Sequence, residues 1–261
     1  MKKILPMLLL SAFSIIAFAQ DKAASGEMKN FRFGGTITPG LFWFKPDNLK
    51  KFAADGAVAK FGVLINGEYS FSGNFAFTFG LGLASSGGKM RFTDTANYFF
   101  SDQTIVNIVD TTGISKKTFE RYKLNSRSYS ASYWMIPFSL KMRTNEIGAM
   151  RYFFQPGLNI GVRKKVLAND DVYSYKSKQT AQQSDLDITN DMGLIRFSAL
   201  LSAGGEYYIS GSTALVFSIG YDYGLSNVGK ATSGQLLRND KKPLPQNFTQ
   251  NGVILMVGFL F

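Results

Sequence analysis

Strict alternation between large apolar and small residues is the feature that most constrains what this chain can fold into. The clearest example is FAFTFGLGLA, residues 75–84, in which every second residue is a large apolar one: Phe75, Phe77, Phe79, Leu81 and Leu83. Successive side chains of a β-strand point to opposite faces, whereas an amphipathic helix needs a period near 3.6 residues. The segment therefore predicts a strand with one fully apolar face.

Eight segments show this period of two. They cover residues 33–45, 61–71, 75–84, 130–143, 152–162, 193–209, 213–225 and 251–261. About ten residues of alternating hydrophobicity are enough for a tilted strand to cross a membrane. Each segment can therefore place one face against lipid and the other in a barrel interior.

The connections between the segments alternate in length. Three are short (72–74, 144–150 and 210–212), and four are long (46–57, 85–129, 163–192 and 226–248). Short periplasmic turns and long outside loops are typical of bacterial outer-membrane barrels. The sequence therefore predicts an all-β fold, an eight-stranded antiparallel transmembrane β-barrel with four long outside loops and three short periplasmic turns. A soluble periplasmic β-protein that only imitates the alternation is the alternative.

The second long connection leaves room for a different strand count. Residues 104–113 and 117–124 both have extended character and could form a hairpin, which would give ten spanning strands. Asn107, Glu120 and Lys123 leave too little apolar face to cross lipid. We favour an extension of the third and fourth strands outside the membrane.

The N-terminal residues have the pattern of an export signal. Lys2 and Lys3 precede an apolar run over residues 4–18, and Ala17-Phe18-Ala19 forms a cleavage pattern of small residues. The run is short for a retained membrane helix, which is the alternative. We predict a signal peptide at 1–19, a short periplasmic segment at 20–32 and the barrel domain at 33–261, hence localisation in the outer membrane.

The absence of two residue types limits the chemistry. The sequence contains no histidine and no cysteine, so the usual general base at neutral pH and the usual thiol nucleophile are missing. A carboxylate pair or a Ser–Lys arrangement is formally available, but no pattern indicates one. We predict no enzymatic activity, no catalytic residue, no cofactor and no metal site. The acidic pairs Asp170-Asp171 and Asp185-x-Asp187 are interpreted as solvated loop residues balanced by lysines rather than as calcium ligands.

Charged residues also occur at inward positions of the predicted strands. They are Glu68, Lys141, Arg151, Arg196, Glu206 and Asp222. Eight strands leave an interior that side chains fill, so we interpret these residues as structural ion pairs rather than as a proton or solute path. Glu206 is expected to pair with Arg151 or Lys141.

The chain is basic, with a formal net charge of +11 and a pI near 9.7. Its cations are scattered rather than gathered in one stripe, which argues against nucleic acid as a partner. Three basic groups flank the predicted outside loops: Lys116-Lys117, Arg163-Lys164-Lys165 and Lys241-Lys242. We expect contact with outer-membrane lipid and the phosphates of lipopolysaccharide, with ordinary membrane-flanking charge as the alternative.

Four stretches together resemble a known family. YWMIPFSLKMR (133–143) is similar to the Tyr-x-x-Ile-Pro-Leu-x-Leu-Lys stretch of outer-membrane β-barrel proteins of the PorT type, which are abundant in Bacteroidota. YFFQPGLNIGV, DMGLIRFSALLSAGGEY and YDYGLSNV follow in the order of that family. The resemblance implies an eight-stranded barrel in a Gram-negative cell envelope. It also implies that the assembly machinery recognises the C-terminal strand, here Val257, Phe259 and Phe261.

These observations predict a non-enzymatic envelope protein. We expect an envelope scaffold, or an accessory in adhesion or secretion, that acts through its surface loops on an unknown surface or periplasmic protein. Two alternatives remain open, a small-solute channel and a component of a type IX-like secretion apparatus, the latter from the role of the family's namesake. Fold alone does not choose between them.

Overall fold

The described residues form a β-structure in which all but one of the elements are strands. The computed structural model describes residues 30–98, 106–109, 115–118, 122–175, 177–230, 236–237 and 244–261. The strands are β1 (Phe31–Ile37), β2 (Gly40–Pro46), β3 (Phe52–Ala54), β4 (Val58–Lys60), β5 (Gly62–Ser70), β6 (Phe75–Tyr98), β7 (Val106–Val109), β8 (Ser115–Thr118), β9 (Tyr122–Arg143), β10 (Met150–Ser174), β11 (Thr180–Asp187), β12 (Ile195–Ser210), β13 (Thr213–Gly224), β14 (Leu236–Leu237) and β15 (Phe248–Leu260). The helix, Thr189–Asp191, is a single 3-10 turn. Within the described part of the chain, no helix has the length and apolar character needed to cross a membrane.

Eight spans close into a ring. The order is β1-β5-β6-β9-β10-β12-β13-β15, and β15 pairs back with β1, with every neighbouring pair antiparallel. β1 and β2 are two halves of the first span, interrupted at Thr38 and Pro39, and both pair with β15. Proline has no N–H for the ladder, which accounts for the interruption. The predicted eight-stranded antiparallel barrel is confirmed.

The barrel begins slightly earlier than predicted. β1 starts at Phe31, so Phe31 and Arg32 belong to the first span rather than to a periplasmic segment ending at residue 32. The predicted signal peptide, residues 1–19, lies outside the described residues.

The short connections are tight turns. Gly148, in the turn between β9 and β10, has φ +65°, and Gly211, between β12 and β13, has φ +54°. Left-handed backbone of this kind favours glycine, which has no Cβ to clash. The three short periplasmic turns are therefore built as the sequence predicts.

Much of the long connections is strand, as expected for the extensions of the third and fourth spans but not for the third long connection. β6, β9 and β10 contain 24, 22 and 25 residues, so they continue well beyond the segments assigned to the membrane. β11 pairs with the far part of β10, and β3 and β14 pair with β6. We call this part the outer extension. β7 and β8 pair with each other in a separate two-stranded sheet and do not join the ring, in agreement with eight spans rather than ten.

An apolar core fills the inside of the outer extension. The inward side chains of β6, β9 and β10 contribute Met90, Leu124 and Val166, each with 0% exposure. Residues from the connections pack onto the same core, among them Ile188, Met192, Val228, Leu236 and Leu244. Burial of this much apolar surface stabilises the extension as a folded cap on the barrel.

Candidate functional site

Charged side chains from four strands converge inside the barrel near its periplasmic end. Arg32 comes from β1, Glu68 from β5, Lys141 and Arg143 from β9, and Glu206 from β12. All five are buried, with residue exposures between 0% and 5%. They meet because each occupies an inward position of its strand, and Arg32 lies directly opposite Glu68 in the β1–β5 register. We call this group the periplasmic ion cluster.

Glu68 accepts hydrogen bonds from three cations. Arg32 Nε lies 2.9 Å from Glu68 Oε1, and Lys141 Nζ lies 2.6 Å from Glu68 Oε2. Arg143 also donates to Oε1 through a terminal guanidinium nitrogen. Each carboxylate oxygen therefore has a charged donor, which is the condition for burying the group at acceptable cost.

Glu206 joins the same cations from the opposite wall. Its Oε2 accepts from Arg32 and from the Tyr208 hydroxyl, both at 2.8 Å, and its Oε1 accepts from Lys141 at 2.8 Å. Arg143 Nε lies 3.5 Å from the same Oε1. The two carboxylates therefore bridge three cations into one network that ties β1, β5, β9 and β12 together.

A second buried pair lies toward the middle of the barrel. Arg196 on β12 donates to Asp222 on β13 and, at 3.3 Å, to the carbonyl oxygen of Gln250. Asn159 Nδ2 donates to the other oxygen of Asp222 at 3.3 Å. Arg196 and Asp222 are almost fully buried, so this pair is shielded from bulk solvent.

A chamber of about 110 Å³, lined by apolar and polar side chains, lies between the two charged groups. Lys141 and Glu68 line one part of it, and Arg196 and Asp222 line another. Thr78, Ser139 and Gln155 add a hydrogen-bonded belt, with Gln155 Nε2 at 3.0 Å from the Thr78 hydroxyl. The volume of the chamber is that of a few water molecules.

The structure places the predicted interior residues in two different settings. Glu68, Lys141, Arg196, Glu206 and Asp222 are buried inside the barrel. Arg151 is the exception, because it lies at the periplasmic mouth and donates to Glu146 at 2.8 Å. It faces Glu206 in the backbone register, but no ion pair joins the two side chains. Of the two partners expected for Glu206, Lys141 is therefore bonded to it and Arg151 is not.

Two members of the periplasmic ion cluster were missed in the sequence. Arg32 precedes the first predicted segment by one residue, and Arg143 is the last residue of the fourth. The period of two assigns Arg143 to the same face as Lys141, so this signal was present. Arg32 could be recognised as an interior residue only if the first strand were started before residue 33.

The acidic groups of the third long connection do not converge. Asp170 is buried and accepts two hydrogen bonds from Arg127, at 2.7 and 2.6 Å, rather than being balanced by lysines. Asp171 points to the other face of β10 and accepts from Ser126. Hydrogen bonds from Thr189 lower the pKa of exposed Asp187. Within the described residues, no group of three or more acidic side chains is arranged to hold a metal ion.

A family comparison now identifies the class of protein. The outer membrane protein beta-barrel domain matches residues 18–229, which is most of the chain. The chain belongs to this outer-membrane β-barrel family. No curated protein matches it.

Several solved outer-membrane barrels are similar to this family member. Neisserial surface protein A shares 8% identity over 88% of this chain and 96% of that chain, with a TM-score of 0.40. OprG from Pseudomonas aeruginosa shares 10% identity over 90% and 97% of the two chains, with a TM-score of 0.41. The protease OmpT from Escherichia coli shares 12% identity over 91% and 99%, with a TM-score of 0.31. Similarities at this level carry no argument about function.

Membership in the family explains the outer surface of the barrel. Large apolar side chains are exposed along the spans, for example Ile65, Leu81 and Leu255, as expected where the solvent is lipid. Aromatic residues concentrate toward the periplasmic end, where Phe259 stacks on Phe261 with ring centroids 5.9 Å apart. Such residues form the aromatic girdle of a barrel at the interface.

Proposed function

We propose that this protein is a non-enzymatic, closed outer-membrane barrel that acts as an envelope scaffold, or as an accessory in adhesion or secretion, through its outer extension and surface loops. The observation that carries the proposal is an interior filled at both ends. The periplasmic ion cluster fills one end, and the apolar core of the outer extension fills the other.

The closed interior favours the scaffold over a small-solute channel. Lys141 is buried and donates to both Glu68 and Glu206, on opposite walls of the barrel, so a solute would have to break several charged contacts to pass. Breaking one partner of a buried ion pair costs about 3–5 kcal/mol. Beyond the chamber, the same solute would meet the apolar core, where polar groups are not solvated.

The residue types in the sequence support a non-enzymatic role. With no histidine or cysteine in the sequence, the buried carboxylates are the candidate acids or bases in the barrel interior. Glu68, Glu206 and Asp222 are each bonded to cations in the interior. This environment favours structural carboxylates over groups that act on a substrate.

Finer aspects of the proposal rest on the sequence resemblance. The ordered stretches between residues 133 and 228 support a PorT-type protein of Bacteroidota, exported by the predicted signal peptide. The proposed partner is a surface or periplasmic protein. Participation in type IX-like secretion is one form that this accessory role could take. The outer extension supports a surface partner because it displays ordered backbone outside the membrane.

A conductance measurement tests the closed interior. We expect the refolded barrel to give no stepwise current in a planar lipid bilayer at moderate voltage, while a porin inserted in the same way gives steps. Reproducible single-channel steps from the pure barrel would contradict the scaffold proposal and favour the small-solute channel.

A photocrosslinking experiment tests the surface role. We expect a photoreactive residue at exposed Asp185, in β11, to capture a discrete protein partner on intact cells. The matched control carries the same residue at lipid-facing Phe217, where adducts with that protein are not expected. Equal capture of the partner from both positions, or from neither, would contradict a partner bound through the outer extension.

A further inference from the structure

Part of the chamber inside the barrel is lined by hydrocarbon. Apolar side chains from four strands form what we call the apolar wall: Leu64 of β5, Met135 of β9, Leu200 of β12, and Ile254 and Met256 of β15. Leu200 and Met256 meet beside Gly220 of β13, where a Cβ atom would lie 3.0 Å from Leu200 Cδ1 and 3.2 Å from Met256 Cε. The glycine therefore leaves room for these two larger side chains, which border the chamber.

Two amide oxygens of the chamber lack a hydrogen-bond donor. Gln155 Nε2 donates to the Ser139 hydroxyl at 2.5 Å, and Asn66 Nδ2 donates to the Thr36 hydroxyl at 2.5 Å. Among the described residues, no hydrogen bond uses Gln155 Oε1 or Asn66 Oδ1, although both side chains line the chamber. A Cβ atom on Gly80 would lie 2.6 Å from Asn66 Oδ1, so the glycine leaves this oxygen uncovered.

The charged side chains of the chamber balance one another. Among the described residues, its lining holds two cations and two carboxylates: Lys141, Arg196, Glu68 and Asp222. Lys141 donates to Glu68 at 2.6 Å, and Arg196 donates to Asp222. A charged ligand would therefore be buried without a counterion, which is costly in an interior that solvates charge poorly. An uncharged molecule is the occupant that fits this lining.

Volume and lining together define the chemistry of the occupant. Apolar cavities of about 150 Å³ in other proteins bind benzene, so a chamber of about 110 Å³ has room for a somewhat smaller molecule. The apolar wall favours a hydrocarbon body over water, because buried water needs several polar partners. The two unbonded amide oxygens are acceptors, so they complement a hydroxyl donor. We propose that the chamber binds a small neutral molecule with a hydrocarbon body and one hydroxyl group, of the size of a four-carbon alcohol.

The test uses n-butanol and three analogues. Isotope-labelled isoleucine and methionine methyl groups report binding by NMR on the barrel in detergent micelles. We expect n-butanol to shift the methyl signals of Ile254 and Met256 in a saturable way, while lipid-facing Ile65, which is 70% exposed, reports only partition into detergent. Methyl propyl ether, an isomer of n-butanol without a donor, should bind about tenfold more weakly, as expected for one lost neutral hydrogen bond. Butyrate and butylammonium should bind more weakly still, because each brings an unpaired charge.

A variant that fills the chamber locates the site. Leu200→Trp enlarges a side chain of the apolar wall and should weaken n-butanol binding on the order of tenfold, whereas Leu201→Trp, on the lipid-facing side of the same strand, should leave it unchanged. Heat-modifiable migration on a gel checks that both variants are folded. Unchanged affinity of folded Leu200→Trp, or equal affinity for butyrate, butylammonium or the ether, would overturn the proposal. In the unsubstituted barrel, the absence of saturable shifts at Ile254 and Met256 would overturn it without any variant.

Discussion

Replacing Phe261 by aspartate is expected to leave only a small fraction of the chain assembled in the outer membrane. Phe261 closes the ring, because its backbone N–H donates to Phe33 at 2.8 Å and its carbonyl oxygen accepts from Phe33 at 3.1 Å. Its ring stacks on Phe259 in the periplasmic girdle. A charge placed there opposes both insertion of the strand and its recognition by the assembly machinery, which we infer from the family resemblance.

The measurement is the amount of heat-modifiable barrel in isolated outer membranes, with unassembled chain followed in the periplasm. The control is Ser72→Asp, which adds the same charge to an exposed periplasmic turn and should assemble normally. Normal membrane levels and gel migration for Phe261→Asp would show that the closing strand needs no aromatic end.

Substituting Glu206 by glutamine is expected to destabilise the folded barrel by about 3 kcal/mol. Glutamine keeps the shape of the side chain but removes the charge, and Arg32, Lys141 and Arg143 would then share one carboxylate, that of Glu68. Buried cations without compensation are costly because the interior solvates them poorly. The measurement is the free energy of unfolding in urea for barrels folded in lipid vesicles.

Two comparison variants separate this effect from general damage. Glu146→Gln breaks the ion pair at the barrel mouth, where Glu146 is 55% exposed, and should change stability by less than about 1 kcal/mol. Adding Lys141→Met to Glu206→Gln removes one of the excess cations and should recover part of the loss. Equal unfolding energies for Glu206→Gln and the unsubstituted barrel would mean that the periplasmic ion cluster is not a stabilising network.

The membrane part of the fold was predictable because a strand between lipid and a barrel interior must carry apolar side chains at every second position. Residues 75–84 alternate between lipid-facing and interior side chains, and the structure places Phe77 and Leu81 outside as expected. In the outer extension, as in a soluble sheet, the outward side chains are polar and the inward side chains are apolar. In β9, Ser128 and Ser130 face outward while Tyr129 and Ala131 pack inward, so the same period of two appears with a polar outer face. Read for lipid-facing residues, the sequence places the start of the fourth segment at residue 130, within this stretch.

The candidate site was only partly predictable because ion pairing depends on register. The inward positions of Glu68, Lys141 and Glu206 follow from alternation alone. Which cation reaches which carboxylate depends on the stagger between strands far apart in sequence. Arg127 and Asp170, 43 residues apart, illustrate this limit, since no local pattern joins them. Arg151 also occupies an inward position by alternation, but it lies next to a turn and pairs with the nearby Glu146 instead of with Glu206.

The unequal lengths of the strands give the barrel a sloping rim. Beyond exposed Trp134, β9 continues for about 40 Å to Tyr122, whereas β13 ends at Gly224, one residue after exposed Tyr223. Within the described residues, the tall side is formed by β6, β9 and β10, and the low side by β13 and β15. A large partner that docked from outside would meet the tall strands on one side and could come close to the bilayer on the other. Such docking would be directional, and neighbouring barrels in a crowded membrane would present different faces to the partner according to how each is rotated about the membrane normal.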